Sequence, residues 1–233
     1  MICLAVAAAS LGGARQTAED RTFETETPST CVYSILFIST LYVVMTNDVT
    51  IRAVTASDID QICQIDTDAS SKFASIPALA DLADGSHGPL EFSTVQHWLA
   101  SGTVYAAEDE KDMLGFTAVQ PKDGILYIAE LSVREIHQGR GLGTLLLEKV
   151  FKHARQTSES IGSSVAKVSL TTYPDVPWNG PWYQKRGFEE VSAETLGSWH
   201  VQKVQQDDEE LARPGYRRCC MLREEAFGST ARA

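Results

Sequence analysis

At 233 residues, 43% of them apolar and 22% charged, the chain has the size and composition of one globular domain with a full hydrophobic core and trailing ends. Its formal net charge of −11 disfavours phosphate backbones and anionic lipid, and favours cationic small molecules. Five cysteines (Cys3, Cys31, Cys63, Cys219, Cys220) form an odd set without a C-x-x-C pair, and the five histidines show no metal-ligand spacing, so the sequence predicts a reducing compartment and no metal site.

Residues 1–44 read as a leader outside the fold. The segment from Met1 to Gly13 is apolar but lacks the basic start of a secretory signal, since the first positive charge is Arg15. The apolar run from Cys31 to Met45 has 15 residues, short of the about 20 that a helix needs to span a bilayer. The folded domain is therefore expected over 45–225, with 226–233 a disordered tail.

Residues 49–54 read as a strand, and Thr55-Ala56-Ser57-Asp58 has the form of a capping box that opens a helix with Ile59, Ile62 and Cys63 on its apolar face. A weaker helical stretch covers 69–82. Val95, Trp98 and Leu99 give the spacing of a short helix that stops at Gly102. Strands over 103–108, 113–120 and 125–133 are separated by short turn-prone loops, which implies an antiparallel meander. A glycine loop, a helix over 144–156 and a strand over 166–172 follow, and such a crossover makes the flanking strands parallel. Beyond a Pro-rich loop come a short helix carrying Trp182 and Tyr183, a strand over 188–191, a helix over 201–211 and a last strand over 216–222. The expected fold class is α/β (α+β), a mixed and mostly antiparallel twisted sheet of six to seven strands with helices on both faces.

Gly139-x-Gly141-x-Gly143 lies between a strand and a helix, where free N–H groups and the positive end of the helix dipole favour an anion. The spacing is neither the G-x-G-x-x-G of dinucleotide sites nor a P-loop. Taken alone, three alternating glycines more often make a tight structural turn. However, Gln138-x-x-Gly141-x-Gly143 matches the Q/R-x-x-G-x-G/A pyrophosphate motif of the GCN5-related N-acetyltransferases (GNAT). A second block, Asp175-Val176-Pro177-Trp178-Asn179-Gly180-Pro181-Trp182-Tyr183 followed by Lys185-Arg186-Gly187-Phe188, resembles the D-V-P-W-N-x-P-F-Y-x-x-x-G-F segment of one subgroup of that family.

The resemblance covers most of 50–222 and has no counterpart for 1–44. It implies a GNAT-like sheet whose parallel strand pair splays apart at the cofactor site, and acetyl-CoA as co-substrate. The diphosphate would lie on Gln138, Gly139, Arg140, Gly141, Leu142, Gly143 and Thr144. The main chain of Leu131 and Val133 and the side chain of Asn179 would meet the pantetheine arm, although an Asn before Gly is equally a turn residue. Trp182 departs from the usual Phe, which would narrow the acceptor site.

Aminolysis of a thioester needs a neutral amine and a proton for the departing thiolate. Glu130 interrupts an apolar strand, nominally on the face of Leu126, Ile128 and Ser132, and burial there would suit it as the base; the alternative is an exposed carboxylate on a bulged strand. Tyr183 is the candidate acid, a tyrosine that in the family faces the cofactor sulfur; the alternative is that it only packs the short helix on the sheet. Asp81, Asp84 and His87 are acceptor-selecting residues or ordinary surface. The expected activity is acetyl transfer from acetyl-CoA to a primary amine of a small molecule. Acetylation of a protein N-terminus or lysine is the alternative within that chemistry, and a catalytically silent acyl-CoA-binding module the alternative outside it. The expected partners are the small-molecule amine and, as an assembly to consider, a homodimer, with neither nucleic acid nor membrane, in the cytoplasm.

Overall fold

Apolar strands joined by short polar turns build a seven-stranded sheet ordered β1-β2-β3-β4-β5-β7-β6. The strands are β1 (Thr50–Ala53), β2 (Thr103–Glu108), β3 (Met113–Lys122), β4 (Ile125–Val133), β5 (Val165–Thr172), β6 (Glu189–Val191) and β7 (Cys219–Ala226). The computed structural model describes residues 49–83 and 89–228, so the expected leader, Asp84 and His87 lie outside the described residues. Every neighbouring pair is antiparallel except β4 and β5, the parallel pair expected from the crossover.

The helices are α1 (Ile59–Ser70), α2 (Phe92–Ser101), α3 (Leu142–Ser160), α4 (Gly180–Gln184) and α5 (Ser198–Leu211). The capping box forms at Thr55 and Asp58, and the Thr55 N–H donates to Asp58 Oδ2 at 2.8 Å. The stretch 69–82 is not one helix: α1 ends at Ser70 and two 3-10 segments follow, Ser71–Ser75 and Pro77–Leu82, with Pro77 starting the second.

The last strand lies further along the chain than 216–222. Arg213 and Tyr216 exchange two backbone hydrogen bonds around Gly215, whose φ is 82°, so this tight turn consumes the residues before Cys219. The strand then continues to Ala226, paired with Val165, so the first residue of the expected tail is part of the sheet.

Each face of the sheet carries a core. Leu126, Ile128, Leu131 and Val133 of β4 pack with Leu142, Leu146 and Val150 of α3. On the opposite face Phe116 and Ala118 of β3 pack with Ile59, Ile62 and Ile65 of α1 and with Val95 and Trp98 of α2. Two irregularities in β4 open a site between these layers. The first is a bulge: Ala118 pairs with Glu130 and Val119 with Ile128, leaving Ala129 without a partner on β3. An extra residue reverses the alternation of side chains, so Leu131 and Val133 join Leu126 and Ile128 while Glu130 turns to the α1 face. Glu130 and Ser132 therefore do not share the face of Leu126 and Ile128.

The second irregularity is the short contact with β5. The strands pair only over Leu126–Ile128 against Val168–Leu170, whereas β5 stays with β7 to Thr172 and β4 stays with β3 to Val133. Beyond Ile128 the two strands part. Gly115 keeps β3 close to this splayed half, since a Cβ there would lie 2.7 Å from the Ser132 carbonyl oxygen. Gly115→Ala is expected to destabilise the fold by about 1–3 kcal/mol through this overpacking, read as a lower urea midpoint; an unchanged midpoint would contradict the packing described.

Candidate active site

Past Val133 the chain turns through a 3-10 segment, Glu135–His137, into the glycine loop. Gly139 and Gly141 both adopt left-handed φ, 75° and 85°, which a side chain would oppose. Gly141 is the N-cap of α3, and hydrogen bonding into the helix begins with the Thr144 and Leu145 N–H groups, which donate to the Gly141 carbonyl. The preceding N–H groups open the helix, where the dipole favours negative charge. Leu142, nearly fully buried, anchors the loop in the core.

A pocket of about 140 Å3 lies here, bounded by Val133, the loop glycines and Thr144 on one side and Trp182 and Arg186 on the other. Arg186 stacks on Trp182 at 3.6 Å and donates from Nη2 to Thr144 Oγ1 at 2.9 Å. Burial pulls its guanidinium below the ordinary arginine range. Arg140 contacts His137 Nδ1 at 2.8 Å and is exposed. Cationic groups thus gather at this helix end of a chain that is acidic overall.

The expected cofactor contacts divide into two sets. Gln138 turns away from the loop, donating from Nε2 to the Val133 carbonyl at 2.9 Å, while the Leu131 N–H donates to Glu130 Oε1 at 3.1 Å. Both main-chain groups are thus engaged by side chains. Asn179 differs. It is fully buried, makes no side-chain cap, and its Oδ1 and Nδ2 both lack a hydrogen-bond partner among the described residues. An orphaned buried amide in the segment that follows β5 suits a ligand that offers amide groups of its own.

On the other side of β4 is a cavity of about 480 Å3 where α1, the segment before α2, β4 and α5 meet. Glu130, 1% exposed, lines it. It is thus a buried carboxylate on a bulged strand, accepting hydrogen bonds from Leu131 N–H and Ser132 Oγ, each at 3.1 Å. Asp66 of α1 lines the same cavity; burial, and then the Glu130 charge, push its carboxyl up to about 7. Among the described residues the lining holds one cation, Lys203, which lies 2.6 Å from Asp207. Burial opposes the ionisation of Asp207, but Arg218 and Lys203 hold its carboxyl below the usual range.

Tyr183 lines neither opening. Its ring is fully buried and packs edge-on against Trp182 at 4.9 Å and Phe188 at 5.3 Å. Asp81 accepts two bonds from Arg213, at 2.9 and 2.7 Å, and does not line the acidic cavity. Among the described residues no group of three or more His, Cys, Asp or Glu side chains is arranged to hold a metal ion. Asp66 and Asp207 were the residues missed from sequence. Each sits on the buried stripe of its helix, Asp66 four residues after Ile62 and Asp207 seven after His200, and a charge at such a position was the available signal.

Residues 100–190 match the family model described as acetyltransferase (GNAT) domain. Among solved structures, the ribosomal-protein-S18-alanine N-acetyltransferase from Escherichia coli superposes with a TM-score of 0.52 at 15% identity, over 79% of this chain and 99% of that one. N-acetylglutamate synthase from Neisseria gonorrhoeae, complexed with coenzyme A and N-acetyl-glutamate, gives 0.51 at 18% identity, over 76% of this chain and 35% of that one. The PaiA N-acetyltransferase from Thermoplasma acidophilum, in complex with coenzyme A, gives 0.51 at 12% identity, over 76% and 99%. The chain therefore has the GNAT fold, and its residues 100–190 are similar to the acetyltransferase (GNAT) domain model.

Proposed function

We propose that this chain is an acetyl-CoA-dependent N-acetyltransferase whose acceptor is a primary amine of a small molecule. The observation that carries the reading is a pair of unlike openings on one strand: a cationic helix-end pocket at Val133 and an acidic cavity at Glu130. Three residues of strand separate them, about 10 Å, and this stretch of β4 has no β5 neighbour. A diphosphate on the glycine loop and an arm along the free edge of β4 would bring a thioester to the acidic cavity. Similarity to structures that hold coenzyme A supports this reading, as do the unpartnered Asn179 amide and the left-handed glycines.

Bound acetyl-CoA would supply an activated acyl group; the chain supplies the proton traffic. An alkylammonium is neutral only to about one part in a few thousand at pH 7, a cost of about 4–5 kcal/mol. Glu130 would take that proton, with its carboxylate held by Leu131 N–H and the Ser132 hydroxyl. Tyr183, its ring fixed between Trp182 and Phe188, would return one to the thiolate. The acidic cavity supports a cationic acceptor, and the odd cysteine set a reducing, cytoplasmic setting.

A panel of small primary amines and N-terminal and lysyl peptides, assayed for free CoA release, tests the acceptor. Turnover confined to peptides would replace the small-molecule reading with protein acetylation. Coenzyme A at about 100 times its dissociation constant should stabilise the fold by about 2.7 kcal/mol. Gly141→Asp, which adds bulk and negative charge at the phosphate position, should abolish that thermal shift; a folded variant that keeps it would move the diphosphate elsewhere. Tyr183→Phe keeps the packing and removes the proton, so kcat should fall by about 10²- to 10⁴-fold with CoA affinity little changed. Wild-type turnover in that variant would remove Tyr183 from the reaction.

A further inference from the structure

We infer that a cationic groove along α3 holds the 3′-phosphate of coenzyme A, so that this protein selects coenzyme A over its 3′-dephosphorylated form. The inference rests on the coenzyme reading above and extends it to a surface beyond the glycine loop.

The groove has a volume of about 630 Å3, with α3 on one side and Arg186 and Arg223 on the other. It shares Thr144 and Arg186 with the helix-end pocket, so the two openings adjoin at the first turn of α3. Thr144, Glu148, Lys152 and Arg155 succeed one another at helical spacing and form one stripe leading away from that turn. At 1.5 Å per residue Lys152 stands about 12 Å from Thr144 along the axis, and a helical side chain leans back over the turn before it. The diphosphate of the coenzyme joins the pantetheine arm to a ribose that carries the 3′-phosphate. With the diphosphate on the glycine loop and the arm along β4, the ribose leaves by the opposite end, where this groove begins.

The groove gathers positive charge in a chain whose net charge is −11. Lys152, Arg155, Arg186 and Arg223 line it, against one carboxylate of the lining, Glu148. A second carboxylate, Glu225 of β7, is divided between two of these cations: its Oε1 lies 2.8 Å from Arg155 Nη2 and its Oε2 3.2 Å from Arg223 Nη2. One negative charge thus faces two guanidiniums. Arg186 donates to Thr144 Oγ1 and to the Trp182 carbonyl, both uncharged. Positive charge therefore exceeds negative along the groove, and a phosphate monoester, with a charge of about −1.5 to −2 at neutral pH, offsets it.

Two of the cations are placed to close on that group. Arg223 is committed to the wall, since its Nη1 donates to the Arg186 carbonyl at 2.9 Å and its guanidinium lies 4.0 Å from the Phe151 ring centroid. Lys152 is exposed, and Arg155 Nε is buried with no hydrogen-bond partner among the described residues. Lys152 and Arg155 are accordingly the residues assigned to the 3′-phosphate.

Calorimetric titration of the full chain with coenzyme A and with 3′-dephospho-coenzyme A tests the assignment without turnover. Coenzyme A should bind about 10-fold tighter or more, the worth of one charge-assisted hydrogen bond, and the ratio should shrink as salt rises. Lys152→Gln combined with Arg155→Gln should bring the two affinities together by weakening coenzyme A alone. Lys152→Gln by itself, a change at an exposed side chain, should do so in part. Glu148→Gln should act in the opposite direction and raise the ratio by about 2- to 5-fold, because it removes a charge that repels phosphate. Lys149→Gln should leave the ratio unchanged, since that ammonium lies over the Tyr105 ring and does not line the groove. Equal affinities of the two forms for the wild type, or an undiminished ratio in the folded double variant, would overturn the groove and leave the coenzyme on the glycine loop. If neither form binds, the coenzyme reading fails and the groove assignment fails with it.

Discussion

The structure depends on how briefly β4 and β5 are paired. Three residues on each strand meet, after which β5 follows β7 and β4 follows β3. A sheet that stayed paired here would leave no free edge. Backbone polar groups exposed by such a parting need partners, and the two visible on β4 have found them in Gln138 and Glu130. A ligand entering the gap would exchange those side-chain bonds for its own. The glycine loop sits at the mouth of the gap because the crossover from β4 to β5 must start there, so the fold that opens the cleft also sets a helix N-terminus against it.

The bulge at Ala129 contributes a second condition. It sends Leu131 and Val133 into the α3 core and turns Glu130 and Ser132 toward α1. On that face the molecule buries a set of linked polar side chains. Tyr127 bonds Thr171, Thr171 donates to Asp207, and Asp207 is held by Lys203 and Arg218. Nearby, His200 bridges Ser169 at 2.8 Å and Asp123 at 2.9 Å, with Asp123 also accepting the first N–H groups of α5. Such networks are costly unless satisfied, and when satisfied they fix one geometry. Here they fasten α5 to the sheet, and α5 forms one wall of the acidic cavity.

Much of this was legible in the sequence, for identifiable reasons. The meander was read with its bounds nearly unchanged because β2, β3 and β4 are apolar runs cut by compact polar turns, and α3 because its apolar face repeats at helical spacing. The last strand was read too early because Tyr216, Arg217 and Arg218 extend toward it, while the turn at Gly215 depends on backbone pairing that a linear pattern does not display. The orientation of Glu130 was misread for a related reason: strand periodicity assumes no bulge, and one added residue inverts every face beyond it. Asp66 escaped notice because Glu130, which lines the same cavity, lies on another element, so only the folded chain brings the two carboxyls to one cavity.

Amide hydrogen exchange with and without coenzyme A tests most directly whether the cleft opened by the β4–β5 splay is the site at which this protein engages its acyl donor. The account predicts that saturating coenzyme A slows exchange in the loop 139–144, at Leu131 to Val133 of β4 and around Asn179, with α2 and β6 little changed. Coenzyme A that binds with undiminished exchange in the glycine loop, or with protection confined to another surface, would contradict it.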